Sequence, residues 1–300
     1  KATSKMHMIS SPEIINEIFR HDVLLQKYTS FRTGGAAEIF VEPVDTSELK
    51  KVLLFCKDEQ KKVFIFGKGT NILVNDNGVK GVVIHLGGVN FQKIERRDRN
   101  VLSGAGVTLS NLVRTVASYG LGGLEVLAGI PGTVGGAVMM NAGGKYGEIS
   151  DSISSVTTMT FDGRIIKYTR GNIEFAYRGC NLSNQIVIEV EFKLKESKTE
   201  VVLEKMDAIY KEKKEMQPLG TFNAGSIFKN TPQHKAAELI DKANLKGFKV
   251  GGAIISKKHA NFIVNTGNST SADILELIKI VKETIKKKYN VSLEEEIHIW

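Results

Sequence analysis

The sequence is poor in the residues that cross-link or stiffen small secreted proteins. It has two cysteines, five prolines and one tryptophan in 300 residues, and the cysteines, Cys56 and Cys180, are far apart. Two separated cysteines exclude a disulfide scaffold and suit a reducing compartment. No apolar run approaches the roughly 20 residues that a membrane-spanning helix needs. We therefore expect a water-soluble, cytoplasmic protein without a secretory signal, in which residues 1–8 are a leader outside the fold.

Charge and glycine content point to an anionic ligand held close to the backbone. Basic residues outnumber acidic ones by 41 to 33, a net charge of +8. A basic surface attracts nucleic acid, phosphorylated small molecules or acidic lipid, and composition alone does not choose among them. Glycine is more informative, since the 29 glycines are about a tenth of the chain against a usual ~7%. Many are clustered, which indicates close approach of the backbone to something.

The spacing of apolar residues predicts a protein in which helices and strands alternate. Helices are predicted over residues 47–60, 108–119, 201–216, 235–243 and 271–288, with a further one beginning at Ser11-Pro12-Glu13. Strands are predicted over residues 38–41, 62–66, 82–86, 100–103, 186–195, 253–256, 261–265 and 291–299, and a hairpin over residues 154–168. The hairpin turn is predicted at Asp162-Gly163, a dipeptide typical of such turns.

A glycine turn of sequence GKGTN, residues 67–71, directly follows the predicted strand 62–66. Successive backbone N–H groups can converge on an anion in such a turn, and Thr70 and Asn71 add side-chain donors. The spacing matches neither the Walker loop nor the G-x-G-x-x-G fingerprint. By itself the pattern fits either a tight turn or a diphosphate site.

Residues 127–147 contain seven glycines and one proline. Glycine costs about 1 kcal/mol and proline about 3 kcal/mol inside a helix, so no long helix or regular strand is predicted here. A flexible linker would be polar, whereas this segment carries Ile130, Val134, Val138 and Met139. Apolar residues among glycines favour contact with a large flat cofactor.

Seven motifs, in order, give the chain its resemblance to a known family. They are TSFRTGG at 29–35, GKGTN at 67–71, GIPGTVGG at 129–136, AYRG at 176–179, AGSIFKN at 224–230, HANFIVN at 259–265 and LEEEI at 293–297. Together they resemble the UDP-N-acetylenolpyruvoylglucosamine reductase family, whose members have the p-cresol methylhydroxylase (PCMH) or vanillyl-alcohol oxidase type of FAD-binding fold. The resemblance runs from about residue 28 to residue 299, and the absence of a substrate-covering tyrosine loop resembles the shorter, type II form.

The resemblance implies an α+β (α/β) fold with three parts. Two FAD-binding subdomains are expected at about residues 9–86 and 87–198, and a C-terminal α/β substrate-binding domain at about residues 199–300. The charge-rich stretch at residues 195–200 is the predicted boundary. We expect the third part to close on the substrate there and shield the site from water.

The resemblance also implies a reaction, the NADPH-dependent and FAD-dependent reduction of UDP-N-acetylglucosamine enolpyruvate to UDP-N-acetylmuramate in peptidoglycan synthesis. Hydride would pass from flavin N5 to C3 of the enol, and a proton must reach C2. Arg178 is expected to stabilise the developing charge, Ser226 to donate the proton, and Glu296 to complete the site. Substrate contacts are expected from Tyr177, Asn230 and His259, and no metal ligands are expected.

The FAD contacts implied by the resemblance lie mostly in the two glycine-rich motifs. They are Gly67, Lys68, Gly69, Thr70, Asn71, Gly129, Ile130, Pro131, Gly132, Thr133, Gly135, Gly136, Asn141, Ala142, Gly143 and Arg178. Four positions depart from the family pattern, namely Lys68, Thr231, Glu295 and His298. The change at His298 affects one expected flavin contact and leaves the expected reaction in place.

Two other functions compete with this interpretation. A sugar or alcohol oxidase could use the same flavin fold, because a fold alone does not determine function; such enzymes often bind FAD covalently through His or Cys, and neither occurs in the two glycine motifs. A basic nucleic-acid-binding module would need Arg and aromatic residues grouped on one face, and no such group is present in the sequence. We expect small-molecule partners only, the UDP-sugar and NADPH, and a monomer.

Overall fold

The computed structural model describes residues 17–300, so the helix start at Ser11 and the leader lie outside the described residues. The helices are α1 Thr46–Asp58, α2 Leu109–Ser118, α3 Val134–Met139, α4 Thr199–Met216, α5 Ala236–Lys242 and α6 Ser271–Tyr289. The strands of the first half are β1 Arg20–Leu24, β2 Ala36–Val41, β3 Val63–Phe66, β4 Ile72–Leu73, β5 Val79–His85, β6 Ile94–Arg97, β7 Asn100–Gly104, β8 Leu121–Gly122, β9 Gly143–Gly144 and β10 Gly147–Glu148. Those of the second half are β11 Ile153–Thr160, β12 Ile165–Thr169, β13 Phe175–Ala176, β14 Gly179–Cys180, β15 Gln185–Lys193, β16 Lys195–Glu196, β17 Lys249–Val250, β18 Ala253–Ile255, β19 Ile263–Asn265 and β20 His298–Ile299.

The first sheet has the strand order β1-β2-β5-β3 and is parallel except for β1. Parallel strands need a crossover connection, and α1 supplies the one between β2 and β3, which lie on either side of β5. Asp45 caps α1 by accepting a hydrogen bond from Glu48 N at 2.9 Å, and the helix buries residues at the helical period. The buried side chains are Leu49, Val52, Leu53 and Cys56. The carboxyl end of β3 leads directly into the GKGTN turn.

The second sheet is antiparallel, in the order β12-β11-β15-β7-β6. In β15 the apolar side chains of Val190 and Phe192 are buried while Glu191 is half-buried and Lys193 is exposed, the alternation of a sheet with one buried face. Buried residues of both sheets belong to one hydrophobic cluster. The two expected FAD-binding subdomains therefore share a continuous core.

The C-terminal part has a core of its own around α5, α6 and the three-stranded sheet β17-β18-β19. A capping box of Thr270 and Asp273 begins α6, and Asn290 ends it in the left-handed conformation at φ 56°. Phe31 and Leu73, from the first part of the chain, are buried in this core. The C-terminal part is thus packed by apolar contact onto the first part of the chain, at Phe31 and at β4.

Most predicted elements are present with bounds within a few residues of the prediction. The predicted strand over 291–299 is wrong, because only His298–Ile299 is a strand, paired in parallel with Ile72–Leu73. The glycine-rich segment 127–147 contains a short helix, α3, that was not predicted. Thr133 Oγ1 accepts a hydrogen bond from Gly136 N at 3.4 Å and begins it, and burial of Val134 and Val138 offsets the low helix propensity of glycine.

Residues 195–200, the predicted boundary, are hydrogen-bonded to β8 and to the end of α2. Strand β16 pairs with β8, and Thr199 Oγ1 donates a hydrogen bond to Ala117 O at 3.0 Å. Helix α4 then packs beside α2 and the turn at residues 125–127. The domain limits stay a prediction, and these contacts favour a third part that begins after α4. Within residues 17–300 none of the helices is both long and apolar enough to span a bilayer.

Candidate active site

A cavity of about 660 Å³ is lined by both glycine-rich motifs, the turn that carries Arg178 and the last strand. Its volume is in the range typical of ligand and cofactor pockets. Fifteen of the sixteen expected FAD contacts line it, all except Asn141, and Ser226, His259 and Glu296 line it too.

The GKGTN turn is shaped by contacts within the protein. Gly69 has φ +62°, and a Cβ added there would lie 2.6 Å from Tyr28 O and 2.7 Å from Phe66 Cζ. Only glycine fits this position. Thr70 Oγ1 donates a hydrogen bond to Pro131 O at 3.2 Å, which ties the first glycine motif to the second.

The second glycine motif presents bare backbone to the cavity at Gly136, which is exposed. A Cβ added there would meet only Thr133 Oγ1, at 3.5 Å, so the space in front of it is open. Asn141 has a different position: it is buried, and its Nδ2 donates hydrogen bonds to Glu148 Oε2 at 2.5 Å and to Ala176 O at 3.2 Å. The contacts of Asn141 indicate that it supports the loop from behind.

Arg178 and Glu296 form a salt bridge at the cavity wall, with Arg178 Nε 2.6 Å from Glu296 Oε1. Arg178 lies in the two-residue turn between β13 and β14 and has φ +58°, a conformation that few non-glycine residues adopt. The exposed fractions of the two side chains are 20% and 13%. Burial raises the pKa of the Glu296 carboxyl, and the neighbouring Arg178 guanidinium partly opposes this rise.

Ser226 is brought beside Glu296 by main-chain hydrogen bonds. Glu296 N donates to Ile227 O at 2.7 Å, and Lys229 N donates to Glu294 O at 2.9 Å. Gly225, at φ +77°, turns the chain immediately before Ser226. Residues 178, 226 and 296 therefore meet at one cavity, although each is more than 45 positions from the next in sequence.

Three comparisons with known proteins identify the family. The model of the UDP-N-acetylenolpyruvoylglucosamine reductase C-terminal domain matches residues 217–300, and that of an FAD-binding domain matches residues 37–169. The reductase of Clostridium novyi is 39% identical over 285 residues, which cover 94% of this chain and 92% of that protein. Reductase 1 of Bacillus cereus is 38% identical over 298 residues, which cover 96% of this chain and 98% of that protein. The chain belongs to the UDP-N-acetylenolpyruvoylglucosamine reductase family.

A solved structure of the family agrees with this placement. The reductase of Thermus caldophilus superposes with a TM-score of 0.83 at 39% identity, and the match covers 94% of this chain and 99% of that one. The predicted fold, a two-subdomain FAD-binding fold followed by a C-terminal α/β part, is confirmed. FAD and NADPH are the cofactors of this reductase family, as predicted. The sugar or alcohol oxidase alternative has no support from these relatives.

The residues expected to bind the reductase substrate have different settings. His259 lines the cavity, its Nδ1 accepts a hydrogen bond from Asn261 N at 3.3 Å, and burial lowers its pKa. Tyr177 and Asn230 lie together outside the lining, with Asn230 N donating to Tyr177 Oη at 3.3 Å. Asn230 Oδ1 accepts from Ala236 N at 3.0 Å and so caps α5. Their roles toward the substrate stay predictions.

Sequence reasoning missed Lys213, which lines the cavity from α4. Burial lowers the pKa of its ammonium to about 8, and Nζ donates a hydrogen bond to Ala128 O at 2.7 Å. The run of Lys and Glu in this helix is typical of a solvated face. The helical spacing could have indicated this position, because Lys213 is four residues from the buried Ile209 and so lies on the inward face of the helix.

The neighbouring Glu212 connects α4 to the tip of the hairpin formed by β9 and β10. Its carboxylate pairs with Lys145 and accepts a hydrogen bond from the hydroxyl of Tyr146. All three side chains line the cavity. The end of α4 therefore touches both limbs of the glycine-rich segment, at residues 128 and 145–146.

The four departures from the family pattern are placed as follows. Lys68 is exposed and lines the cavity. Glu295 pairs with Lys282 at 2.7 Å, and Thr231 N donates a hydrogen bond to His234 O at 3.0 Å within a turn. His298 lines the cavity, and burial lowers its pKa, so its imidazole is mostly neutral at pH 7.

Proposed function

We propose that this protein reduces UDP-N-acetylglucosamine enolpyruvate to UDP-N-acetylmuramate with FAD and NADPH, a step of peptidoglycan synthesis. The observation that carries the proposal is the meeting of Arg178, Ser226 and Glu296 at a cavity walled by two glycine-rich motifs. The family comparisons support the same reaction.

The cavity fits FAD by its size and by the chemistry of its walls. It is lined by bare backbone at Gly136, by apolar side chains such as Ile130 and Met139, and by the GKGTN turn. We propose that the turn holds the diphosphate through backbone N–H groups and that the second motif lies against the flat ring system. When bound, FAD supplies hydride transfer, which protein side chains do not provide.

Arg178 is proposed to hold the substrate carboxylate and stabilise the negative charge that develops on it. A guanidinium suits this role because it stays charged and binds carboxylates through two donors. Glu296 occupies Nε of Arg178, which holds the planar group in one orientation. Stabilisation by fixed charge is strongest where water is excluded, and both side chains are largely buried.

Ser226 is proposed to donate the proton that C2 of the substrate requires. A hydroxyl is a weak acid in water, so it can serve only against a strongly basic carbon and in fixed geometry. The hydrogen bonds between residues 227–229 and 294–296 provide that fixed position. Glu296, whose pKa is raised by burial, can hold a proton near the same point.

Tyr177, Asn230 and His259 are proposed to contact the sugar and nucleotide end of the substrate. His259 lines the cavity, and the other two form a hydrogen-bonded pair next to the Arg178 turn. The net charge of +8 favours approach of a diphosphate-bearing substrate. We further propose that the enzyme acts as a cytoplasmic monomer on small molecules, without nucleic acid or membrane partners.

Absorbance spectroscopy of the purified full-length chain tests the proposal. We expect a yellow protein whose 450 nm band is bleached by NADPH without oxygen and returns when the enolpyruvyl UDP-sugar is added. UDP-N-acetylglucosamine, which lacks the enol ether, is the matched control and should leave the protein bleached. Failure of NADPH to bleach the band, or recovery with the control sugar, would contradict the proposed reaction.

A further inference from the structure

Trp300 is the one tryptophan of the sequence, and it lines the same cavity as the catalytic candidates. It belongs to a series of alternate positions, since Glu296 and His298 line the cavity as well. At this place in the cavity wall, the indole offers a flat apolar face that suits a planar ring.

The main chain holds Trp300 firmly. Trp300 N donates a hydrogen bond to Leu73 O at 2.9 Å, and Asn75 N donates to Trp300 O at 2.8 Å. Two aromatic rings lie beside the indole, Phe64 at a centroid distance of 5.0 Å and Phe66 at 5.8 Å. The ring is therefore fixed in place before any ligand arrives.

Trp300 and Glu296 belong to different ends of the cavity wall. Glu296 contacts Arg178 and the segment that carries Ser226. Trp300 lies beside β3 and β4, on either side of the GKGTN turn. A ligand whose reactive ring lies by Arg178 and Ser226, and whose diphosphate lies at the turn, brings its other end toward Trp300.

We infer that Trp300 stacks on the adenine of FAD. The inference rests on the proposed placement of FAD in this cavity. FAD has two planar groups separated by its diphosphate, and the flavin ring is needed where hydride is transferred. The adenine is then the planar group left for the aromatic wall of Trp300 and Phe66. Stacking on an aromatic side chain suits adenine, which offers a π-face whatever its hydrogen-bonding partners.

Affinity measurements with FAD and FMN test this inference, because FMN lacks the adenine. We expect Trp300→Ala to weaken FAD binding about five- to a hundredfold, the range that base stacking gives on alanine substitution. FMN binding should stay within about twofold. Trp300→Phe should retain most of the FAD affinity, and Phe248→Ala, which removes an exposed aromatic outside the cavity lining, should change neither ligand.

Fluorescence of the wild-type full-length chain, freed of flavin and shown to take FAD up again, gives a second measurement. Adenine does not absorb where tryptophan emits, so ADP should lower Trp300 emission only through contact. This measurement decides the question if Trp300→Ala does not fold. Unchanged emission with ADP, or an equal loss of FAD and FMN affinity in Trp300→Ala, would overturn the inference. A wild-type chain that binds no flavin would instead contradict the proposed function.

Discussion

At the scale of single residues, the pair Arg178 and Glu296 dominates the site. Both side chains are largely buried and lie 2.6 Å apart. A buried pair costs desolvation, and removing one member leaves the other charge without a partner. The pair is therefore better explained by a need for a fixed guanidinium at this wall than by stability. The left-handed backbone of Arg178 is a further cost of a kind that persists at functional sites.

Ser226→Ala should separate the two halves of the reaction. Reduction of bound FAD by NADPH needs no proton at the substrate and should keep its wild-type rate within about threefold. Recovery of the flavin band on adding the enolpyruvyl UDP-sugar should slow by about 10²–10⁴-fold, the usual contribution of a general acid. Stopped-flow absorbance at 450 nm measures both halves in sequence.

The control for this experiment is Ser292→Ala, which removes a serine hydroxyl outside the site cavity and should leave both halves unchanged. If Ser226→Ala recovers at the wild-type rate, the proton has another source. Glu296 would then be the next residue to test, since its raised pKa allows it to carry a proton.

At the scale of elements, the short helix α3 decides how closely a ligand can approach the second motif. Gly136→Val should keep the fold, because a Cβ at this position makes only an ordinary contact with Thr133 Oγ1 at 3.5 Å. Its side chain would project into the open space of the cavity. We expect FAD affinity to fall at least about tenfold while the circular dichroism spectrum stays unchanged.

Gly171→Val is the matched control, since a Cβ at Gly171 meets nothing within 4 Å and the residue is outside the lining. Gly69→Val is a different case, because it would clash with Tyr28 O and Phe66 whether or not a ligand is bound. That variant should lose fold and flavin together. Wild-type FAD affinity in a folded Gly136→Val protein would place the ring system elsewhere.

At the scale of the whole molecule, the C-terminal part is attached to the first part of the chain by more than apolar contact. Asp76 accepts hydrogen bonds from Ser271 N at 2.9 Å and Ala272 N at 3.1 Å, at the start of α6. Asn265 Nδ2 donates to Phe31 O at 2.7 Å, and β20 pairs with β4. These ties oppose the large closure that the boundary at residues 195–200 suggested.

We therefore expect small-angle scattering of the FAD-loaded protein to show no change in radius of gyration beyond about 0.5 Å on adding substrate, against a typical radius near 19 Å for 300 residues. Protection from proteolysis should appear at residues 217–223, after α4, and not at residues 195–200, where Lys195–Glu196 are paired with β8. A larger decrease in the radius of gyration, or cleavage at residues 195–200 that substrate suppresses, would contradict this prediction. Either result would support closure of the whole third part on the substrate.

Local patterns were sufficient for most elements and for the chemistry of the motifs. The period of Leu49, Val52, Leu53 and Cys56 predicts α1, and the alternation in β15 predicts a half-exposed strand, because both depend only on which side chains avoid water. Glycine turns after strands, and the ordered motifs of the family, likewise lie within short stretches of sequence. The residues expected to bind FAD could be named on this basis, and fifteen of them line one cavity.

Tertiary structure alone decided which distant residues meet. Lys213 and Trp300 line the cavity, but each lies in a segment whose local sequence is ordinary, a charged helix and a short strand. The strand His298–Ile299 forms only because Ile72–Leu73 offers it a partner, and α3 forms because its apolar side chains are buried. Charge runs, glycine turns and hydrophobic periodicity each depend on residues that are close together in sequence. Burial of Lys213, the pairing of Arg178 with Glu296 and the aromatic setting of Trp300 depend on chain segments tens to hundreds of residues away, so packing had to be known first.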